Sequence, residues 1–217
     1  MVTSVVVILM ASACGSDGAS NDAPNSSPTS VEVSETTMAT TTLDTSLSTL
    51  EPLPSTKVPQ GTYAITGFVV PFSIATVGDW QRRYERAEIM MLGRGASKGP
   101  DPETEFAVTS SLVGGDTPED ALASWCSTGD VAFNALPPTT LFGSPAIQVE
   151  GTASSDCIWT SIDTTDNLTI AEGKTVRLIA ADVEGTIVVV VANGPSDSWP
   201  ALSTEVEAMV ASLTLAA

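Results

Sequence analysis

Short stretches of alternating apolar and polar residues fill the chain after residue 60, and each of them predicts a strand. The first four of these stretches are residues 61–70, 72–77, 83–92 and 105–113, which are rich in β-branched and aromatic side chains. Within 83–92, Ala87, Ile89 and Met91 fall on one face of a single strand, and Arg86 and Glu88 fall on the other.

Two segments instead repeat their apolar residues at a helical period. The first lies near 117–128: Thr117 is a good N-cap, Pro118 suits the first helical position, and Glu119 and Asp120 favour the positive end of the helix dipole. The second lies near 198–213, behind Ser196 or Ser198 as the cap. Its apolar stripe consists of Trp199, Leu202, Val206, Met209, Val210 and Leu213.

Between these helices the strand pattern returns at residues 144–151, 157–163, 175–183 and 186–192. Glu184-Gly185 separates the last two strands and predicts a hairpin. The run Ile187 to Ala192 is wholly apolar, as in a strand that is buried on both faces. The pattern predicts an α+β fold, with an antiparallel sheet of short strands covered by the two helices, after a disordered N-terminal tether.

The start of the chain has the composition of an export signal. Val2 to Met10 is apolar but much shorter than the roughly 20 residues of a membrane span. With Ala11-Ser12-Ala13 and Cys14, it resembles the lipobox of bacterial lipoproteins, which implies a signal peptide at 1–13 and a lipid on Cys14. Ala-x-Ala also suits ordinary secretory cleavage, which would leave Cys14 free in a secreted protein. A buried N-terminal strand with a chance cysteine is the third interpretation.

Residues 14–60 predict a lipid-anchored linker, and residues 61–217 predict one extracytoplasmic α+β domain. Gly15 to Gln60 contains 9 Ser, 9 Thr and 5 Pro, and every aromatic residue follows residue 60. Such a segment buries too little apolar surface to offset its ordering entropy. We therefore expect the folded domain to begin at about Gly61.

The three cysteines of the chain leave one pair once Cys14 carries a lipid. In an exported protein, Cys126 and Cys157 are then expected to form a disulfide. The alternative is two buried thiols, each near a tryptophan. Neither cysteine has the CxxC spacing of a redox or zinc site.

Charge and composition exclude several functions. The net charge of −18 repels nucleic acid, and the chain has no histidine to act as a base or a metal ligand. No catalytic, phosphate-binding or calcium-binding motif is present, so we expect a non-enzymatic protein with no cofactor and no metal site.

Five basic residues fall within 17 positions of this acidic chain: Arg82, Arg83, Arg86, Arg94 and Lys98. Trp80 and Tyr84 are interleaved with them. Strand alternation places Arg82, Tyr84 and Arg86 on one face, so Trp80, Arg82, Tyr84 and Arg86 form a candidate binding face for an anionic wall polymer or an envelope protein. The alternative is that these arginines pair with carboxylates of the same domain.

The order of elements resembles the PsbP/Mog1-like domains, including the LpqN-like lipoproteins of actinobacteria. The matching residues are "VGDW" ending at Trp80, the "TPEDALASW" helix, and the hairpin and helix from Thr175 to Leu213. The resemblance implies a location on the outer face of the cell membrane and a binding or accessory role. The sequence thus predicts a lipid-anchored, non-catalytic binding protein of the bacterial envelope. A secreted carboxylate-dependent hydrolase and a passive structural wall protein are the alternatives.

Overall fold

The computed structural model describes residues 47–95, 103–110, 115–125, 131–160 and 167–216. Contacts divide the chain after Thr42, and everything described below belongs to the unit Leu43–Ala217. Within these ranges the fold is mostly β-sheet with two α-helices, which confirms the predicted α+β class. Neither helix in these ranges is long and apolar enough to cross a membrane.

The strands of this unit are numbered in chain order. They are β1 (Glu51–Pro52), β2 (Lys57–Val58), β3 (Gly61–Ile65), β4 (Phe72–Thr76), β5 (Trp80–Arg86), β6 (Ile89–Arg94), β7 (Thr104–Thr109), β8 (Asn134–Ala135), β9 (Thr139–Leu141), β10 (Ser144–Thr152), β11 (Cys157–Thr160), β12 (Asn167–Ile170), β13 (Lys174–Val183), β14 (Thr186–Pro195) and β15 (Thr214–Leu215). The helices are α1 (Pro118–Ala123) and α2 (Trp199–Ala211).

Antiparallel pairing assembles most of these strands into one large sheet. Its order is β2-β5-β6-β7-β14-β13-β10-β8, and β9 pairs with β10. A smaller sheet has the order β1-β3-β4-β15, in which β1 runs parallel to β3. The strands β11 and β12 form a separate hairpin-like pair.

The large sheet separates two hydrophobic cores. Alternate residues of β14 serve each core: Val188 and Val190 belong to the core under α2, and Val189 and Val191 to the core under α1. This confirms the prediction that the apolar run in β14 is buried on both faces. The two helices therefore cover opposite faces of the sheet.

Both helices begin near the predicted residues. The Thr117 hydroxyl accepts a hydrogen bond from the Asp120 amide at 3.1 Å, as expected of an N-cap. Ser198 occupies the N-cap position of α2 without a side-chain cap bond, and Ser196 instead bonds Gly173. The helix α1 ends at Ala123, so it is shorter than the predicted 117–128.

The turn between β13 and β14 also forms as predicted. Val183 pairs with Thr186 across a two-residue loop. Glu184 and Gly185 have φ values of 53° and 83°, which are the left-handed conformations that a tight hairpin of this kind requires.

The segment 83–92 is not one strand, which corrects the sequence prediction. It is a hairpin of β5 and β6 that turns at Ala87 and Glu88, with Arg86 paired to Ile89. Ala87 and Glu88 are exposed turn residues rather than members of alternate faces. Paired residues of an antiparallel ladder lie on the same face, so Arg86 and Ile89 share a face that an uninterrupted strand would not give them.

The folded unit also begins before Gly61, within the predicted linker. Lys57 and Val58 pair with Gln81 and Trp80 of β5. Val58 is fully buried, and Leu53 is nearly so. The boundary prediction was wrong here because two isolated apolar residues among Pro, Ser and Thr give no periodic signal, although both reach the core.

Candidate functional site

A cleft of about 480 Å³ lies at the end of the large sheet where β2 pairs with β5. The residues that line it come from Ser55 to Lys57, from Asp79 to Arg82, and from the end of β6. Its charged lining residues are Lys57, Arg82, Arg94 and Asp79, three cations and one carboxylate. A protein with a net charge of −18 thus has a net positive wall in this cleft.

Trp80 forms the floor of the cleft and fixes its geometry. Only 1% of the residue is exposed, and the indole N–H donates to the Val77 carbonyl at 2.8 Å. The guanidinium of Arg94 lies 4.6 Å from the ring centroid, a cation–π distance. Trp80 is therefore a support for Arg94 rather than an exposed contact surface for a ligand.

Arg94 is held from its other side by α2. Its Nη2 lies 2.7 Å from Oε2 of Glu205. Glu205 lines a second cleft, of about 310 Å³, which shares Arg94 and Gly95 with the first. Arg94 thus stands at the border of two adjoining clefts, with its side chain only partly exposed.

Arg82 and Lys57 also have carboxylate partners. Arg82 bonds Glu85 through Nη1, which also donates to the Leu53 carbonyl at 3.4 Å. Lys57 and Asp79 form an ion pair at 3.0 Å, and about two thirds of each side chain is exposed. The pairing of Arg82 and Arg94 agrees with the alternative stated for the arginine cluster, namely that these cations meet carboxylates of their own domain.

A β-bulge at Arg83 separates the candidate binding residues. Arg82 is opposite Leu92, whereas Tyr84 is opposite Met91, so the bulge reverses the alternation. Leu92 and Met91 belong to different cores. The prediction of one shared face was therefore wrong, because it assumed a regular strand through Arg83.

Tyr84 and Arg86 lie together on the face away from the cleft. The Arg86 guanidinium is 5.4 Å from the centre of the Tyr84 ring. Tyr84 is one of the exposed large hydrophobic residues, at 37%. Of the predicted set, the cleft therefore brings together Trp80 and Arg82, and it excludes Tyr84 and Arg86.

Three charged residues of these clefts escaped the sequence prediction. Lys57 and Asp79 face each other only because β2 pairs with β5, and Glu205 comes from a helix more than 100 residues away. Arg82 and Arg94 did carry a signal, as members of the basic cluster. Long-range pairing of this kind leaves no local pattern in a sequence.

A second ion cluster lies between α2 and the strands β10 and β13 of the large sheet. Arg177 donates from Nε and Nη2 to one oxygen of Glu150, at 2.9 and 2.7 Å, and from Nη1 to Glu207 at 2.9 Å. The Trp199 indole N–H donates to the same Glu150 oxygen at 3.0 Å. Two carboxylates thus bind one buried cation, and this arrangement favours a role in holding the fold together.

The residues described here hold no group of three side chains able to ligate a metal ion. Of the acidic residues at 101–105, the structure describes Glu103 and Glu105, and Glu105 is buried and accepts a hydrogen bond from Asn193 at 2.7 Å. Glu105 is thus engaged inside the fold.

Cys157 is fully buried at the start of β11, and Ile170 is its partner on β12. Cys126 and Cys14 lie outside the described residues, so their predicted roles stay predictions.

We expect the Cys126–Cys157 disulfide to form in the exported protein, because oxidising compartments favour pairing of the two remaining cysteines. Mass spectrometry of the non-reduced, proteolysed protein should find one cross-linked peptide containing both residues. The Cys126→Ser variant should lose this peptide and expose Cys157 to alkylation after unfolding. Alkylation of both cysteines in the unreduced, unfolded parent protein would contradict the disulfide.

Comparisons with known proteins give a distant likeness to a solved structure. No protein-family model matches the chain. No curated protein matches it either. Among solved structures, it is similar to LpqN, described as involved in cell envelope biogenesis of Mycobacterium tuberculosis, with a TM-score of 0.31 and 11% identity over 73% of this chain and 86% of that one. A likeness at this TM-score is distant and assigns no function to the chain.

Proposed function

We propose that this chain is a lipid-anchored, non-catalytic binding protein of the bacterial cell envelope, and that it binds its ligand in the cleft above Trp80. The anchor is Cys14, after a cleaved signal at 1–13. The observation that carries the binding role is the cleft itself, where three of the eight basic residues of an acidic chain line one depression.

The support for binding rather than catalysis is chemical. The lining of the cleft offers cations, hydroxyl groups of Ser55 and Thr56, and one carboxylate that is bonded to Lys57. Proton transfer or nucleophilic attack needs a base near its target, and histidine is absent from the sequence. An array of fixed cations is suited instead to holding an anionic group.

A carboxylate-dependent hydrolase is the second candidate, and Glu150 with Glu207 is the pair to consider. They share Arg177 beside a cleft of about 320 Å³. Both carboxylates accept hydrogen bonds from Arg177, and Glu150 also accepts one from Trp199. This arrangement favours a stabilising role for the pair over an acid–base role.

Replacing Cys14 with serine should release the protein from the membrane into the medium. A lipid chain provides most of the membrane affinity of an anchored protein, and serine offers no thiol to accept it. Fractionation of cells into membrane and medium, followed by immunoblotting, measures the effect. Ser12→Ala is the matched control, since it changes the same segment but keeps the cysteine.

Membrane retention of Cys14→Ser equal to that of the parent protein would overturn the lipid anchor. The binding role has a separate test: the released Cys14→Ser protein should co-sediment with isolated envelope at low salt. If it stays in the supernatant at every protein concentration, the binding role fails, whatever the anchor proves to be.

A further inference from the structure

We infer that the ligand of the Trp80 cleft carries an oxyanion, either a phosphate or a carboxylate, and that Glu205 competes with this group for Arg94. The inference rests on the proposed binding function and names the chemistry of its ligand. The cleft that contains Lys57, Arg82 and Arg94 would receive the oxyanion.

The charges of the two adjoining clefts differ in sign. The larger cleft is lined by three cations and Asp79, whereas the smaller one is lined by Arg94 with Glu103 and Glu205. The carboxylates that bond Arg82 and Arg94, namely Glu85 and Glu205, are not part of the larger cleft's lining. An anion that enters the larger cleft therefore meets two arginines whose carboxylate partners lie outside the lining, beside a Lys57 that is paired with Asp79 within it.

The two arginines retain hydrogen-bonding capacity toward the cleft. A guanidinium has five N–H donors. Arg82 donates from Nη1 to Glu85 and Leu53, whereas Nη2 of Arg94 forms an ion pair with Glu205. Their other N–H groups make no hydrogen bond within the described ranges. Planar donors of this kind match the geometry of carboxylate and phosphate oxygens.

The environment of Arg94 allows an exchange of partners. Trp80 supports the guanidinium from one side through a contact that does not involve Glu205. Gly78 packs closely against the guanidinium: a Cβ at this position would lie 3.1 Å from Nη1 of Arg94, and its φ of +74° also favours glycine. Trp80 and Gly78 thus hold Arg94 at the border of the two clefts, where an anion in one cleft and Glu205 in the other compete for the same guanidinium.

The test is a titration of the full chain with two anions and two neutral controls. Glycerol 3-phosphate and glucuronate are the probes, and glycerol and glucose are their uncharged counterparts. Isothermal titration calorimetry measures the affinity at low salt and again at high salt. We expect saturable binding of at least one anion, weaker at high salt, and none of the neutral compounds. The anion that binds identifies phosphate or carboxylate as the source.

Four variants locate the site. Arg82→Gln and Arg94→Gln should each weaken anion binding about tenfold, the value of one charge-assisted hydrogen bond. Arg83→Gln is the matched control: Arg83 is exposed and adjacent to Arg82 but does not line the cleft, and it should change the affinity by less than about twofold. Glu205→Gln should strengthen binding, because it removes the competitor for Arg94.

The gain expected from Glu205→Gln cannot come from misfolding, so it keeps the inference falsifiable even if an arginine variant is unstable. Absence of saturable binding of both anions overturns the inference, as does an equal loss in Arg83→Gln and Arg82→Gln. Envelope co-sedimentation without anion binding would refute the ligand class and leave the proposed binding function standing. Anion binding without co-sedimentation would refute the envelope role instead.

Discussion

Replacing Arg177 with methionine should lower the free energy of unfolding by about 3 kcal/mol, since it removes the cation from a largely buried ion cluster. Only 10% of the Arg177 side chain is exposed, and Glu150 is about one quarter exposed. Methionine keeps most of the apolar stem over Trp199 but leaves the Glu150 carboxylate with the indole N–H as its remaining donor in the cluster. The loss of the charge partner is the main cost.

Two further variants separate this charge effect from lost packing. Glu207→Gln should cost less than about 1 kcal/mol, because 67% of the Glu207 side chain is exposed and water screens its bond to Arg177. Adding Glu150→Gln to Arg177→Met should recover part of the loss, since no uncompensated carboxylate then remains. Urea denaturation followed by far-ultraviolet circular dichroism measures all three. Additive effects in the double variant would show that the carboxylate is not the source of the cost.

The sequence predicted correctly those elements that depend on residues close together in the chain. The cap and first turn of α1 depend on residues within four positions of each other, and they formed as expected. The hairpin of β13 and β14 depends on two turn residues, Glu184 and Gly185, and it also formed. The apolar run of β14 is likewise a continuous signal, and it indicated correctly that both faces of the strand are covered.

The predictions failed where one residue changes the register. An alternating pattern does not show whether a strand continues or turns, and the turn at Ala87 and Glu88 places Arg86 on the same face as Ile89 instead of the opposite one. A bulge also reverses the alternation, since the extra residue Arg83 moves Tyr84 to the other face. The bulge at Arg83 therefore divides the predicted binding face, and no residue type in the sequence indicates a bulge there.

A comparable limit explains why the cleft was only partly predicted. Its cations come from β2, β5 and β6, and its competing carboxylate comes from α2. Lys57 was assigned to the linker because the surrounding residues are Pro, Ser and Thr, and only its pairing with Gln81 brings it to the site. Sequence reasoning found the basic cluster, whereas the fold decides which members share one surface.

Gly151→Ala should destabilise the fold by about 2–3 kcal/mol, because the backbone of a neighbouring segment leaves no space for a side chain at this position. A Cβ at this residue would lie 2.6 Å from the Ala132 carbonyl oxygen and 2.8 Å from a methyl group of Val131. Val131 forms a bridge with Ala153, which fixes the crossing segment against β10. Relief of the clash therefore requires a backbone shift rather than a rotamer change.

Two other glycines provide controls with different physical causes. At Gly194 the nearest atom to a new Cβ is Cδ2 of Leu202, at 2.5 Å, the mobile end of a side chain that can rotate away. At Gly143 no atom lies within 4 Å, but the φ of +80° should cost about 1 kcal/mol for alanine. Urea denaturation should rank Gly151→Ala as the least stable of the three variants. An equal or smaller loss at Gly151 than at Gly143 would show that the segment at Val131 and Ala132 moves freely, and would refute the close backbone approach.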